Sequence, residues 1–209
     1  KDKFRQPYIA RQVRVTVPVH LAPLSWTTFQ LLEGKAPHHD GLFQNGVIDT
    51  PFVTLSIDDG LTLYDKTTNE AYEDFLRFED RGDIGNEYIY FQPKGTEPIY
   101  ADLTAYEVLE NNARYAKILL KHDLTIPVSA DEQLDAEQRG IIEFMNRKAS
   151  RSEEMTTIPL ETEMTIFVDD PQIRFKTRFT NTAKDHRIRL LVKTHNTRPS
   201  NDSESIYEV

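Results

Sequence analysis

Apolar and polar residues alternate with a period of two through most of this chain, and this pattern constrains the fold more than any other feature. Five segments show it: 13–19, 116–128, 160–168, 173–179 and 188–192. A strand with one apolar and one polar face is typical of an antiparallel sheet that packs on one side. Short turns such as Asp58-Asp59-Gly60 lie between strands. The sequence therefore predicts a mainly β protein, a large antiparallel β-sandwich with few or no helices.

Two local assignments follow from the same pattern. A helix over Asp131–Met145 is the one candidate, but Gly140 interrupts it and the pair Ile141-Ile142 suits a strand, so we predict mostly strand there. We predict a hairpin turn at 181–184, between the last two strong strands. That hairpin would collect five cations on one face, which are Arg174, Lys176, Arg178, Arg187 and Arg189.

Charge and composition exclude several classes of function. The formal net charge of −9 over 209 residues argues against nucleic-acid binding, which uses a cationic surface. The absence of cysteine removes disulfides and thiolate metal sites. No apolar run approaches the roughly 20 residues that span a bilayer, so we expect no membrane partner. The lack of cysteine and of an export signal leads us to expect a cytoplasmic location.

The chain starts at Lys1 without methionine, so we expect one β-sandwich region, 1–209, that is a fragment of a longer protein. Within it, 34–49 is predicted to be a connector and 197–209 a loosely held tail.

The segment Phe78–Tyr88 concentrates carboxylates, an arginine, an asparagine, a tyrosine and two glycines. Such a density of hydrogen-bonding groups predicts a surface loop, and carboxylates and amides beside a flat aromatic ring suit the hydroxyls and the C–H face of a sugar. Asp80, Asp83 and Glu87 also suggest the acid and base of a glycosidase, but a loop alone rarely fixes two carboxylates well enough. We therefore predict sugar contact rather than catalysis.

Three other residues or motifs have plain structural interpretations. The tract His38-His39-Asp40 has metal-binding side chains but no further ligand at a useful spacing, which favours an ordinary loop. Trp26 is predicted to be a core residue rather than a sugar platform. His122 falls on the apolar face of a long strand and is predicted to be a hydrogen-bonded core histidine.

Three motifs in the same order resemble a known family: Leu21–Phe29, Phe78–Tyr88 and the seventeen residues Arg174–Leu190. Together they resemble the C-terminal β-domain region of bacterial α-mannosidases of glycoside hydrolase family 38. The resemblance spans nearly the whole chain, from Val13 to Tyr207. It implies a supersandwich of the galactose-mutarotase-like type.

The resemblance also implies a retaining enzyme that hydrolyses α-mannosidic bonds. In that family the zinc ion and both catalytic carboxylates belong to an N-terminal barrel, and this chain has no counterpart of it. We therefore expect no catalytic residue, no metal ligand and no activity in this chain alone. Its partners would be the barrel of the same polypeptide and a mannose-containing oligosaccharide; whether the parent forms a homo-oligomer stays open.

Substrate contacts implied by the resemblance fall on one loop, at Arg81, Asp83, Asn86 and Tyr88. Asn86 stands where many bacterial members have an aspartate, and motif alignment alone selects Tyr88 over Tyr90. The alternative function from a different class is a stand-alone carbohydrate-binding module. A sugar-epimerase-like enzyme is a third candidate, but the alternation offers no facing histidine and carboxylate.

Overall fold

The computed structural model describes residues 15, 17, 19–30, 32, 34, 35, 39–58, 60–195, 197 and 200. The chain divides into two units, Lys1–His38 and His39–Val209. In the described part of the first unit, the Ser25 hydroxyl donates a 2.6 Å hydrogen bond to the Ala22 carbonyl and closes a turn. Trp26 is 84% exposed, so its assignment to a core is wrong. The described residues of this unit supply no apolar layer to cover the ring.

The second unit is built of antiparallel strands, as predicted. Its strands are β1 (Phe43–Gln44), β2 (Val47–Asp49), β3 (Val53–Ser56), β4 (Thr62–Asp65), β5 (Glu70–Tyr72), β6 (Arg77–Gly82), β7 (Ile99–Tyr100), β8 (Asp102–Asn111), β9 (Tyr115–Pro127), β10 (Met155–Phe167), β11 (Ile173–Arg178) and β12 (His186–Leu191). The described residues form one α-helix, α1 (Glu132–Arg139), and a 3-10 turn at Phe144–Asn146. No helix in this part of the chain is long and apolar enough to cross a bilayer.

The strands form three sheets in two layers. One layer is a four-stranded sheet in the order β11-β10-β9-β8, in which β9 and β10 are 13 residues long. The other layer consists of a five-stranded sheet, β1-β2-β3-β4-β5, and a three-stranded sheet, β12-β6-β7. The smaller sheets cover different halves of β9 and β10, so the long strands are the common floor of the sandwich.

The core follows the predicted alternation along β9. Ala116, Ile118 and Leu120 pack under the five-stranded sheet, and Leu124 and Ile126 pack under the three-stranded sheet. All five side chains are 0% exposed, whereas the odd-numbered residues between them face outward to different degrees. The predicted alternation of apolar and polar residues with a period of two is therefore confirmed in β9.

The segment after β9 is a helix, so the prediction of a strand there is wrong. Asp131 begins it, because its carboxylate accepts a hydrogen bond from the Gln133 amide, and Gly140 ends it by donating to the Ala136 carbonyl at 2.9 Å. Leu134 and Glu137 are buried one turn apart on one face. The glycine that argued against a helix is its terminus.

The predicted hairpin between β11 and β12 is also wrong. β11 pairs with β10 in the four-stranded sheet, whereas β12 pairs with β6 in the opposite layer. Residues 181–184 cross between the layers, and the Lys184 amide donates to the Val128 carbonyl at 2.9 Å. The five cations therefore do not share one face, because Arg174, Lys176 and Arg178 lie on β11, whereas Arg187 and Arg189 lie on β12 in the other layer.

Part of the segment predicted as a connector is structured. β1 and β2 lie in its second half, and Ile48 is completely buried in the core. Positive backbone angles at Asn45 and Gly46 (φ 49° and 77°) make the tight turn between these strands. Most of the predicted tail, 197–209, lies outside the described residues, as does much of the strand predicted over 13–19.

His122 lies on the buried face of β9 and is 5% exposed. Its ring stands edge-on to Phe78 at a centroid distance of 5.2 Å. Burial is confirmed, but the predicted hydrogen bond is not found, since Nδ1 has no partner among the residues that the structure describes. Desolvation by burial lowers the pKa of His122 from 6.5 to about 4.

Leu119 and Leu120 test the floor of the sandwich directly, because the neighbours point to opposite faces of β9. We expect Leu120→Ala to lower the free energy of unfolding by roughly 2–5 kcal/mol, because it opens a cavity between the layers. Leu119→Ala should cost about 1 kcal/mol or less. Urea denaturation measures both changes, and equal losses would show that the layers do not meet on the even-numbered face.

Protonation of His122 should destabilise the fold as pH falls. The unfolded chain binds this proton near pH 6.5, whereas the folded chain binds it only near pH 4. The stability that the neutral ring contributes is therefore fully present above pH 6.5 and is lost as the pH falls from 6.5 to 4. The free energy of unfolding would fall by on the order of 3 kcal/mol over this range. We expect His122→Leu to flatten the unfolding free energy, measured in urea, between pH 6.5 and 4.5. An unchanged slope would mean that the ring is not desolvated.

Candidate functional site

The polar motif forms the end of β6 and the loop beyond it. We call Asp83–Phe91 the finger. Two pairs of backbone groups close it: the Ile84 amide donates to the Phe91 carbonyl at 2.8 Å, and the Asn86 amide donates to the Ile89 carbonyl at 3.0 Å. The finger is thus a narrow, hydrogen-bonded loop with Glu87 and Tyr88 at its tip.

Two of the predicted contact residues hold the finger in shape. One carboxylate oxygen of Asp83 accepts from the Gly85 amide at 2.9 Å and from the Phe91 amide at 3.1 Å. The side-chain oxygen of Asn86 accepts from the amides of Tyr88 and Ile89 at 2.9 and 2.8 Å. Because short polar side chains of this kind stabilise turns, the amide oxygen of Asn86 supplies the acceptor that the turn needs.

Gly85 is required by crowding inside the finger. A Cβ atom at this position would lie 1.8 Å from the Ile89 carbonyl oxygen, far inside van der Waals contact. The φ angle of Gly85 is not positive, so turn geometry does not require the glycine. The two sides of the finger approach so closely that no side chain fits between them.

A buried ion-pair network lies beneath the finger on one face of β6. Glu79 is 1% exposed, and it accepts hydrogen bonds from Arg81 Nε at 2.9 Å, from Arg81 Nη2 at 3.3 Å and from Arg189 Nε at 3.0 Å. Burial alone would raise the pKa of Glu79, but these guanidinium groups outweigh burial and keep it below the usual value. Arg81 Nη1 also donates to Gln92 at 3.1 Å. Arg81 is therefore largely engaged in holding the base of the finger.

Asp80 has the same role on the opposite face of β6. Its carboxylate is fully buried and is contacted by Arg151 Nη1 and by His186 Nδ1, the latter at 2.6 Å. The other ring nitrogen of His186 lies 3.0 Å from the Asn181 side-chain oxygen. Asp80 is therefore a structural anchor, and the weaker hypothesis that it acts as a catalytic acid or base fails because no substrate can reach it.

The segment around α1 supports the finger from the side. Ile84 is 1% exposed and packs with Leu134, Ala149 and Phe91. Arg147 Nη1 donates to the carbonyls of Ile84 and Gly85 at 2.5 and 2.6 Å. The finger is thus anchored at its base by the ion pairs of Glu79 and Asp80, and at its side by apolar contact with α1.

The two tyrosines of the finger differ in availability. Tyr88 is 86% exposed. Tyr90 is half-buried, with the Arg187 guanidinium stacked 3.6 Å from its ring centroid and its hydroxyl 3.3 Å from Gln92. Of the two rings, Tyr88 is therefore the one exposed to solvent, and its contact with a sugar stays a prediction.

The described residues contain no candidate metal centre. Within them, no three histidine, cysteine, aspartate or glutamate side chains converge in a way that fits an ion such as zinc. His39 and Asp40 are exposed, and His38 lies outside the described residues. This part of the chain therefore does not fit the zinc site that the family resemblance implies for the parent.

The sequence did not reveal which residues anchor the finger. Arg147 and Arg151 lie about 60 to 70 positions away from their partners and belong to no motif. His186 and Arg189 do belong to the motif Arg174–Leu190, and both pair with the carboxylates of Phe78–Tyr88. The signal that could have found them is the opposite charge of these two motifs.

Comparison with known proteins relates the chain to one enzyme family. The model for "Glycosyl hydrolases family 38 C-terminal domain 1" matches residues 1–33. A curated relative from Halalkalibacterium halodurans, named "Putative mannosylglycerate hydrolase", is 31% identical over 223 residues, which cover 100% of this chain and 25% of that protein.

Two solved structures from this enzyme family have a similar fold. An alpha-mannosidase from Enterococcus faecalis V583 superposes with a TM-score of 0.76 and 34% identity over 83% of this chain and 20% of its own. A protein in glycosyl hydrolase family 38 from Enterococcus faecalis superposes with a TM-score of 0.71, also at 34% identity, over 76% of this chain and 20% of its own. The resemblance indicated by the three motifs is thus confirmed, and the chain spans a quarter or less of each relative's length.

Removal of the Asp83 carboxylate should loosen the finger without unfolding the sandwich. Asp83→Ala leaves the amides of Gly85 and Phe91 without their acceptor, so we expect their hydrogen exchange to accelerate by about tenfold or more. Asp83→Asn keeps an acceptor oxygen and should exchange nearly as slowly as the unaltered chain. The control is Glu87→Ala at the exposed tip. If Asp83→Ala exchanged no faster than this control, the carboxylate would not organise the loop.

Proposed function

We propose that this chain, a relative of the C-terminal region of the family 38 glycosyl hydrolases, is the non-catalytic β-sandwich part of an α-mannosidase. It would lend the finger to an active site in an N-terminal catalytic barrel of the same polypeptide. The observation that carries the proposal is the finger itself. Buried ion pairs hold it rigidly, and it presents one exposed aromatic ring, Tyr88. Two similar proteins support the substrate class, since one is an alpha-mannosidase and the other is named a putative mannosylglycerate hydrolase.

The chemistry of the reaction would come from the barrel. The family resemblance implies a retaining mechanism, in which zinc and two carboxylates of the barrel would act on the substrate. The finger's contribution is to bind and orient the sugar. The ring of Tyr88 can cover a C–H face of mannose, and its hydroxyl can donate to or accept from a sugar hydroxyl.

Rigidity makes the finger useful for this task. A loop that is already ordered loses little conformational freedom when the sugar binds, so more of the contact energy is available to position the substrate. Asp83 and Asn86 contribute indirectly, because they fix the direction of Tyr88. Arg81 would act in the same indirect way through Glu79 and Gln92.

A stand-alone carbohydrate-binding module remains the second candidate. One observation favours it: the bonds that order the finger all come from the second unit, so the ligand-binding shape needs no barrel. Calorimetric titration of mannose and mannobiose into this chain separates the two functions. A saturable affinity of the chain alone supports the module, and its absence supports the barrel-dependent site.

The proposal predicts that the barrel supplies the hydrolytic activity and that the finger raises its catalytic efficiency, and kinetics can measure both. With zinc and an aryl α-mannoside, this chain alone should give no turnover, and the chain joined to its upstream barrel should hydrolyse the substrate. In the joined protein, Tyr88→Ala should lower kcat/KM by at least about tenfold, or roughly 1.4 kcal/mol.

The control is Tyr106→Ala, which removes another partly exposed tyrosine, on β8, and should leave kcat/KM unchanged. Hydrolysis by the chain alone would overturn the assignment of the chemistry to the barrel. Equal kinetics for Tyr88→Ala and the unaltered joined protein would overturn the role of the finger.

A further inference from the structure

A cleft of about 330 Å³ lies where the five-stranded and three-stranded sheets meet above β9. His122 forms its floor, between Leu120, which packs under the larger of these sheets, and Leu124, which packs under the smaller. The walls come from the segments that lead into β4 and β6, and from β7 and the start of β8. This volume is within the range of small-molecule sites, roughly 300–1,000 Å³.

The cleft and the finger lie at opposite ends of β6. Arg77, the first residue of β6, lines the cleft, whereas the finger begins at Asp83, just after the last residue of the strand. Six residues of extended strand span roughly 20 Å. A ligand in the cleft would therefore be distinct from a sugar at Tyr88, and the site would be independent of the proposed function.

His122 is the residue of the cleft that packing does not explain. It is 5% exposed, and its Nδ1 atom has no hydrogen-bond partner in the described part of the chain. A buried polar atom without a partner costs free energy that an apolar side chain would avoid. The other inward positions of β9 are apolar and 0% exposed, namely Ala116, Ile118, Leu120, Leu124 and Ile126. The fold therefore gains nothing from an imidazole at this position, whereas a ligand could.

The imidazole of His122 is arranged to donate a hydrogen bond into the cleft. Burial lowers its pKa to about 4, so at pH 7 the ring is neutral and carries a proton on one nitrogen only. Because a buried N–H group without an acceptor is rarer than an unpaired acceptor, we assign Nδ1 as the unprotonated nitrogen. The proton is then on Nε2, and the accessible part of the ring opens onto the cleft.

Arg77 supplies further donors to the same cleft. Its guanidinium lies over the Tyr100 ring, 3.6 Å from the centroid, so the aromatic ring positions it. Its ion-pair partner is Asp74, but the distance from Nη1 to Oδ2 is 3.8 Å, which is too long for a hydrogen bond. Among the residues that the structure describes, the guanidinium therefore has no hydrogen-bond acceptor.

Positive charge is in excess beside Arg77. Asp74 is shared between two cations, because Lys193 Nζ lies 3.5 Å from the carboxylate oxygen that faces Arg77. Asp102 also lines the cleft, but it stands opposite Asp123 in the ladder with β9, so its side chain lies on the outer face of that sheet. Two cations thus face one carboxylate, which favours an anionic ligand.

We propose that the cleft binds a small monocarboxylate, held by Arg77 and His122. A guanidinium presents paired N–H groups that fit the two oxygens of a carboxylate, and an imidazole N–H can donate to either oxygen. Leu61, Phe75 and Leu103 give the walls apolar surface for a short carbon chain. The cleft is thus a second ligand site of this sandwich, remote from the finger.

Butyrate and butyramide test the cleft in the unaltered chain, because the two molecules have nearly the same shape and differ in charge. The readout is the long-range proton–nitrogen NMR spectrum of the histidine rings at pH 7, in which the signals of His122 are those absent from His122→Leu. We expect a ring protonated at Nε2, and we expect butyrate to shift its signals saturably, with a Kd of about 1 mM or tighter. Butyramide should bind at least about tenfold more weakly. A ring protonated at Nδ1, an equal response to both molecules, or a saturable response to neither overturns the proposal.

Arg77→Lys tests the guanidinium, because lysine keeps the positive charge but lacks the paired N–H groups. We expect the affinity for butyrate to fall about tenfold. Arg174→Lys is the matched control, since it changes another guanidinium that lies over an aromatic ring, 5.0 Å from the Phe167 centroid, outside the cleft. This control should bind butyrate as the unaltered chain does, and equal affinities in the two variants would contradict the proposal. The comparison of butyrate with butyramide decides the question even if Arg77→Lys disturbs the fold, because it uses the unaltered chain.

Discussion

Two buried carboxylates at adjacent positions of one strand constrain the rest of this structure. Glu79 and Asp80 point to opposite faces of β6, and each is nearly inaccessible to water. A buried carboxylate that loses its cation is strongly destabilising, by roughly 3–5 kcal/mol, so each must keep its partners in place. Those partners come from β12 and from the chain after α1. The pair thus ties two distant segments to the base of the finger.

The finger inherits its rigidity from this arrangement. Below it are ion pairs, beside it is the apolar contact of Ile84 with α1, and within it are the turns organised by Asp83 and Asn86. A sugar offers few apolar atoms and many hydroxyls that water already satisfies, so a binding loop gains most from being ordered in advance. The polar residues Asp83 and Asn86 bond mainly to the backbone of the finger, and this fixes the position of the backbone that carries Tyr88.

The sequence predicted the layers better than their connections. Alternation along β9 and β10 identified the buried face, because side chains in a strand change sides at every residue. Alternation could not identify strand partners. The predicted hairpin of β11 and β12 was therefore wrong, because β11 pairs with β10 and β12 pairs with β6. The helix α1 was not predicted, because the sequence alone does not distinguish a glycine that ends a helix from one that interrupts it. The candidate site was found as a motif, but hydrogen bonds over 60 to 110 residues, such as that from His186 to Asp80, have no local signature.

The central claim is that a sandwich without chemistry of its own presents the finger to a mannose held by a separate barrel. A crystal structure of the chain joined to its upstream barrel, with a mannoside bound, tests this most directly. The account predicts that the Tyr88 ring touches the sugar and that the finger keeps the backbone hydrogen bonds described here. A bound mannoside with the finger turned away from it, or separated from it by other protein, would contradict the account.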